Sequence, residues 1–172
     1  GFTPGNPGDV PVIEVLLGLV PYILHTDPQS VLVIGLGAGN TAAVLADTNV
    51  TRIRIVELEP AVTEAVRAVA GSPATVLDDA RVGITYNDAR NTLAVEDESY
   101  DLIVSQPSHP WVAGTAGVFT REFWEMGKTR PTGARVCSLL HTPPMLPVFA
   151  PIPKPLSRNQ LAIARLPMPP DP

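Results

Sequence analysis

Val31-Leu-Val-Ile-Gly35-Leu-Gly37-Ala-Gly39-Asn40 is the stretch that decides the fold. Its first four residues are apolar and mostly β-branched, a short run of the kind that forms a strand buried on both faces. Glycines follow at alternate positions, and Thr41 to Ala46 continues in residues that predict a helix. Glycine accepts the backbone angles that a tight strand-to-helix turn imposes, and without a Cβ it lets a ligand approach the main chain. The helix beginning there offers free N–H groups and the positive end of its dipole. A plain βα turn would use the same residues, so the loop alone leaves cofactor binding and simple chain reversal equally open.

Upstream, the apolar run Val10 to Leu24 is interrupted by Glu14, Gly18 and Pro21. It falls short of the ~20 apolar residues of a membrane span and predicts a packed helix from about Val12 to Leu24. Asp9 is placed to cap that helix, with Pro11 in its first turn. Downstream, the pattern predicts strands at Arg52–Glu57, Val82–Tyr86 and Tyr100–Ser105, with a fifth at Arg135–Leu140. Helices are expected between them at Pro60–Ala70, Arg90–Val95 and Thr120–Lys128. Alternation at this spacing implies an α/β fold: a Rossmann-like parallel sheet with right-handed crossovers and helices on both faces. The chain divides into an N-terminal loop and helix over 1–30, a Rossmann-like domain over 31–142, and a tail over 143–172. Ten prolines in the thirty residues of that tail predict irregular structure, because proline removes donors and blocks helix interiors and central strands.

Composition narrows the function classes. The 172 residues carry a formal net charge of −5, with no basic patch to neutralise phosphates, which argues against nucleic acid as a partner. Cys137, the one cysteine, forms no internal disulfide, and the three histidines lack metal-ligand spacing, so no metal is expected. No Gly-x-Ser-x-Gly elbow occurs, and no signal peptide is visible. A cytoplasmic setting fits this pattern. The start at Gly1 rather than Met suggests a fragment or a processed product.

Ligands of parallel sheets bind beyond the carboxyl ends of the strands, and the chemistry-bearing residues follow strands here. Glu57 ends the second strand, twenty residues beyond Gly37, where an acid can accept both ribose hydroxyls of an adenosine. Alone it would be an ordinary solvated carboxylate; with the glycine loop at this spacing it reads as a ribose ligand. Asn87-Asp88-Ala89 follows the third strand, and Asp88 suits either an adenine amino group or the cap of the next helix. Ser105-Gln-Pro-Ser-His-Pro-Trp111 follows the fourth, where a catalytic or substrate group would sit. Gln106 can hydrogen-bond but not act as a base, His109 can titrate near neutrality, and Trp111 can wall a pocket or anchor the loop. Gly114 to Gly117 is a turn with the flexibility of a lid.

Read together, VLVIGLGAGNT, IRIVELEPAV, LDDARV, NDARNTL, YDLIVSQPSHPW and AGVFTREFWE resemble the spermidine synthase (polyamine aminopropyltransferase) family. That family shares the fold of class I S-adenosylmethionine-dependent methyltransferases. The last two segments most resemble synthase-like domains fused to membrane transporter segments, which implies a longer membrane-associated protein, and the family also implies a homodimer. The resemblance further implies a sulfonium nucleoside: S-adenosylmethionine, its decarboxylated form, or the methylthioadenosine product. Gly35, Gly37, Ala38 and Gly39 would line its tail, Glu57 hold its ribose, and Asp88 with Ala89 meet its adenine. Gln106 and His109 would occupy the catalytic loop, and Glu14 and Trp111 would face a small-molecule substrate such as a polyamine.

The chain departs from the family pattern where acids are expected. Ala38 stands for an Asp that holds the donor amine, Gln106 for an Asp that helps deprotonate the acceptor, and His109 for a second Asp. Val12-Ile13-Glu14 stands for Tyr-His-Glu. After Glu125 the chain leaves the family's pattern for proline-rich sequence, which implies a C-terminal truncation or frame change. These substitutions predict nucleoside binding with weak or absent aminopropyl transfer, since each lost general base costs about 10²–10⁴-fold. A small-molecule methyltransferase and a non-catalytic, regulatory nucleoside-binding domain are the alternatives. A nicotinamide dehydrogenase fits the loop and Glu57 but gives PSHPW and GVFTREFWE no role.

Overall fold

The structure is a computed structural model that describes residues 12–69, 72–105, 120, 122–123, 135–139 and 147–149, with 72–73, 135–139 and 147–149 described by their main chain. In chain order the elements are α1 (Val12–Leu24), β1 (Ser30–Ile34), α2 (Asn40–Ala46), β2 (Arg52–Glu57) and α3 (Pro60–Ala68). There follow α4 (Ser72–Thr75), a 3₁₀ turn (Val76–Asp78), β3 (Val82–Tyr86), α5 (Ala89–Val95), β4 (Leu102–Ser105), β5 (Arg135–Leu139) and β6 (Pro147–Phe149).

The strands form one sheet in the order β3-β2-β1-β4-β5-β6. All pairs are parallel except β5 with β6. The order reverses between β1 and β4, and this switch point opens the crevice where doubly wound sheets take their ligands. Alternation along each strand divides the core. Val31, Val33, Ile53, Ile55, Leu102 and Val104 pack with Leu17, Leu45 and Val66 under α1–α3. Leu32, Ile34, Val56 and Ile103 pack with Leu93, Tyr100 and Phe123 on the α5 side. Each such apolar side chain taken fully from water is worth about 1.5–3 kcal/mol, so the two layers account for a sheet with helices on both faces.

Most predicted elements appear within a residue or two of their expected bounds. Three differences have physical causes. The fourth strand begins at Leu102 rather than Tyr100 because Asp101 is drawn into another set of bonds: its carboxylate accepts from the Gln29 and Ser30 amides at 2.9 Å each. The segment 72–78, to which the sequence reading assigned no element, forms α4 and the 3₁₀ turn, whose Val76 is buried in the core. The tail is not irregular throughout, since Pro147–Phe149 pairs antiparallel with β5. Proline is tolerated there as the first residue of an end strand, where its missing donor breaks no inner ladder. Of the expected helix at 120–128, Thr120 is a bend whose Oγ1 accepts from Phe123 N–H at 3.3 Å, Glu122 and Phe123 are helical, and 121 and 124–128 lie outside the described residues, as does the Asp9 cap.

No helix among the described residues is long and apolar enough to cross a membrane. No group of three His, Cys, Asp or Glu among them is arranged to hold a metal ion.

Candidate functional site

β1 delivers the chain to the carboxyl edge of the sheet, and the glycines turn it there. Gly35, Gly37 and Gly39 all have positive φ, at 85°, 54° and 87°. Gly39 is the N-cap of α2 in the left-handed region, where L side chains are strained, and no side chain caps the helix. The turn is closed by Gly39 N–H donating to Leu36 O at 2.9 Å and anchored by Gly35 N–H donating to Val56 O at 2.8 Å. A Cβ built on Gly37 would meet nothing within 4 Å, so this glycine keeps open space in front of the loop. Ala38 beside it is exposed.

Glu57 ends β2 and is 8% exposed. Its Oε2 accepts from Leu36 N–H in the glycine loop at 2.7 Å, and its Oε1 from Glu59 N–H at 3.0 Å. The carboxylate therefore staples the β1–α2 loop to the β2–α3 loop. Each oxygen carries one backbone bond, and a carboxylate oxygen has a second acceptor position, so Glu57 retains capacity for two hydroxyl donors. Leu58 and Tyr86, at 61% and 50% exposure, place apolar surface next to it, Tyr86 being the β3 register partner of Glu57.

Asp88 takes up the capping role considered for it. Its Oδ1 accepts from Arg90 N–H at 2.7 Å and Asn91 N–H at 3.3 Å. The side chain is exposed at the rim, with Oδ2 making no bond among the described residues, and Ala89 is the buried first residue of α5. The rim of the crevice thus gathers the glycine loop, Glu57, Asp88 and Ala89 from three separate strand ends.

Glu14 enters from the other side. α1 lies against α2 so closely that a Cβ on Gly18 would sit 3.2 Å from Thr41 O. Thr41 Oγ1 donates to Glu14 O at 3.2 Å, and Asn40 Nδ2 donates to Glu14 Oε2 at 2.6 Å. These bonds bring a half-buried carboxylate to the exit of the glycine loop. Gln106, His109 and Trp111 lie outside the described residues.

Sequence reasoning passed over Asn40 and the Leu36 amide, which carry the contacts to Glu14 and Glu57. It also gave Ser105 no role of its own. That residue is fully buried at the carboxyl end of β4, beside Ile34, and its hydroxyl has no hydrogen-bond partner among the described residues. The serine that ends an otherwise apolar strand was the available signal.

Away from the crevice the chemistry is different. At the amino edge of the sheet, Arg52 pairs with Glu98 at 3.2 Å and stands 5.2 Å from the Tyr100 ring centroid. Arg54 pairs with Glu96 at 3.1 Å and with Glu98 at 3.8 Å. Burial, and then a hydrogen bond to Glu98, push the Tyr100 hydroxyl well above the usual tyrosine range, while that same bond holds Glu98 below the carboxylate range. Arg81 pairs with Asp79 at 2.6 Å and donates to Ala46 O and Val50 O, closing the end of α2. Burial pushes Asp101 up, but the Gln29 and Ser30 amides and the Ser30 hydroxyl outweigh it and hold the acid below its ordinary value.

The spermine/spermidine synthase domain model matches residues 12–131. Polyamine aminopropyltransferases of Streptococcus uberis and Streptococcus pneumoniae are 36% and 37% identical over 106 residues, which is 61% of this chain. The chain spans 37% of the length of these curated relatives. Among solved structures, a spermidine synthase in complex with the transition-state analogue AdoDATO is similar at a TM-score of 0.69 and 23% identity, over 74% of this chain and 44% of that one. Spermidine synthase from Thermotoga maritima gives 0.65 at 22% identity, over 76% and 43%. At these identities the likeness speaks for the fold, whose wider neighbours include a putative O-methyltransferase from Klebsiella pneumoniae with a TM-score of 0.54.

Proposed function

Because the chain belongs to the spermine/spermidine synthase family, we propose that its crevice binds an adenosyl sulfonium or its thioether product and serves aminopropyl transfer to a polyamine. The observation that carries this reading is Glu57, buried between two loops, stapled by backbone N–H groups and still able to accept two hydroxyls. That is the arrangement a ribose diol requires. Asp88 Oδ2 suits an adenine amino group, and Leu58 and Tyr86 offer apolar surface to a flat base. The open space before Gly37 takes the tail.

In the transfer, an amine nitrogen attacks the propyl carbon attached to the sulfonium. A C–N bond forms, the C–S bond breaks, sulfur leaves as a neutral thioether, and the amine gives up a proton. The nucleoside half of this task falls on the crevice built by β1, β2 and β3. The acceptor half falls on the loop after β4, where Gln106 and His109 stand in place of acids, and slow turnover follows from that replacement. Incubating the chain with putrescine and decarboxylated S-adenosylmethionine, and measuring spermidine and methylthioadenosine together, tests the proposal. Both products appearing in equal amounts supports it. Tight nucleoside binding with no product leaves the ligand reading and overturns transfer, in favour of a regulatory binding domain.

Ala38 favours a second reading, methyl transfer from S-adenosylmethionine. No carboxylate projects from the glycine loop to repel the one that this donor retains. A clear preference for the decarboxylated donor would remove it.

A further inference from the structure

The two edges of the sheet balance charge differently. Every ion pair among the described residues lies at the amino edge or on the helix ends around it: Arg52 and Arg54 with Glu96 and Glu98, Arg67 with Asp78, and Arg81 with Asp79. Among the described residues the acids of the carboxyl edge have no such cation. Glu57 is held by two backbone N–H groups, Glu59 caps α3 through Ala61 N–H, and Asp88 caps α5. Glu14 differs from all of these. One oxygen accepts from the neutral Asn40 amide, and the other has no partner among the described residues. The side chain is half-buried, and its helix is pinned to α2 through Thr41 and Gly18. A partly desolvated carboxylate without a counter-charge is unfavourable, and it becomes favourable once a cation docks on it.

We propose that Glu14 is a specificity-determining residue that receives, on Oε1, the ammonium at the tail of the donor nucleoside. The proposal rests on the nucleoside reading above and deepens it. A tail ending in an ammonium alone is attracted to Glu14. The tail of S-adenosylmethionine brings a carboxylate as well, which the fixed negative charge repels. Methylthioadenosine, with no ammonium, is indifferent to Glu14. The acid thus supplies from α1 the negative charge that the exposed methyl of Ala38 does not supply from the loop.

Calorimetric titration of wild type and Glu14→Gln with decarboxylated S-adenosylmethionine, S-adenosylmethionine and methylthioadenosine tests this. Wild type should bind the decarboxylated donor more tightly than the other two, with a margin that shrinks as salt is raised. Glu14→Gln should lose about tenfold to a hundredfold in affinity for the decarboxylated donor and keep its affinity for methylthioadenosine. Equal losses for both ligands would mean a purely structural role and overturn the proposal, as would no loss for either. Wild type binding all three alike overturns it without need of the variant and leaves the nucleoside reading intact. If wild type binds none of the three, that reading falls too.

Discussion

The carboxyl and amino edges of this sheet hold carboxylates by opposite means. At the amino edge acids meet guanidinium groups and a closed set of amides, as in Arg54 with Glu96 and Glu98, Arg81 with Asp79, and Asp101 with Gln29 and Ser30. At the carboxyl edge Glu57, Asp88 and Glu14 are held by one or two neutral N–H donors that fix their positions without neutralising them. The first arrangement uses up charge to fasten the fold. The second positions charge and leaves acceptor capacity open. Of the arginines whose side chains are described, only Arg90 lies at the carboxyl edge, and it makes no ion pair there. One end of the molecule fastens the fold, and under the function proposed above the other receives a cationic, hydroxyl-bearing ligand.

Substitutions can break this contrast from either side. The largest effect is expected for Glu57→Gln, which replaces an acceptor facing backbone N–H groups with a donor. Affinity for methylthioadenosine should fall about a hundredfold or more, read by calorimetry, because charge-assisted bonds of about 1.5–3 kcal/mol each are lost. Asp101→Ala, at the opposite edge, should cost about 2–3 kcal/mol of stability in denaturant titration by orphaning the Gln29 and Ser30 amides. Nucleoside affinity should not change. If Asp101→Ala weakened binding as strongly as Glu57→Gln, the two edges would not be separable in function.

Asp101 also gives the contrast a pH dependence. Its folded value is depressed, so its stabilisation is complete above the ordinary carboxylate range and is lost as pH falls through the folded value. The difference in melting temperature between wild type and Asp101→Asn should therefore narrow below about pH 4. Gly37→Ala should cost about 1–2 kcal/mol for its left-handed backbone, although the methyl meets no protein atom. The same methyl enters the space given to the ligand tail, so affinity should drop together with melting temperature. Arg52→Ala should have the smallest effect, under about 1 kcal/mol, because its pair with Glu98 is exposed.

The carboxyl edge was the more legible part of the sequence. Gly35, Gly37, Gly39 and Glu57 are marked by residue type and spacing, since only glycine suits the positive φ of that turn and a strand that ends in acid is conspicuous. Burial on both faces likewise made β1 and β4 readable as apolar runs. What stayed hidden is tertiary. That Glu57 would bond Leu36 N–H, and Glu14 reach Asn40, depends on how two loops and two helices meet. Neither partner is marked in its own segment. Asp101 was read as part of a strand because its carboxylate bonds across more than seventy residues of sequence, which no local pattern records. β6 was missed because proline density outweighed a three-residue edge pairing.

The account stands on a cationic nucleoside filling the carboxyl-edge crevice, and the melting temperature of the chain with decarboxylated S-adenosylmethionine tests it most directly. Methylthioadenosine and a nicotinamide dinucleotide serve as comparators. Both nucleosides should stabilise the fold, by about 2.7 kcal/mol at a hundredfold excess over the dissociation constant, with the decarboxylated donor effective at the lower concentration and the dinucleotide without effect. An unchanged melting temperature with both nucleosides, or equal stabilisation by the dinucleotide, would contradict it.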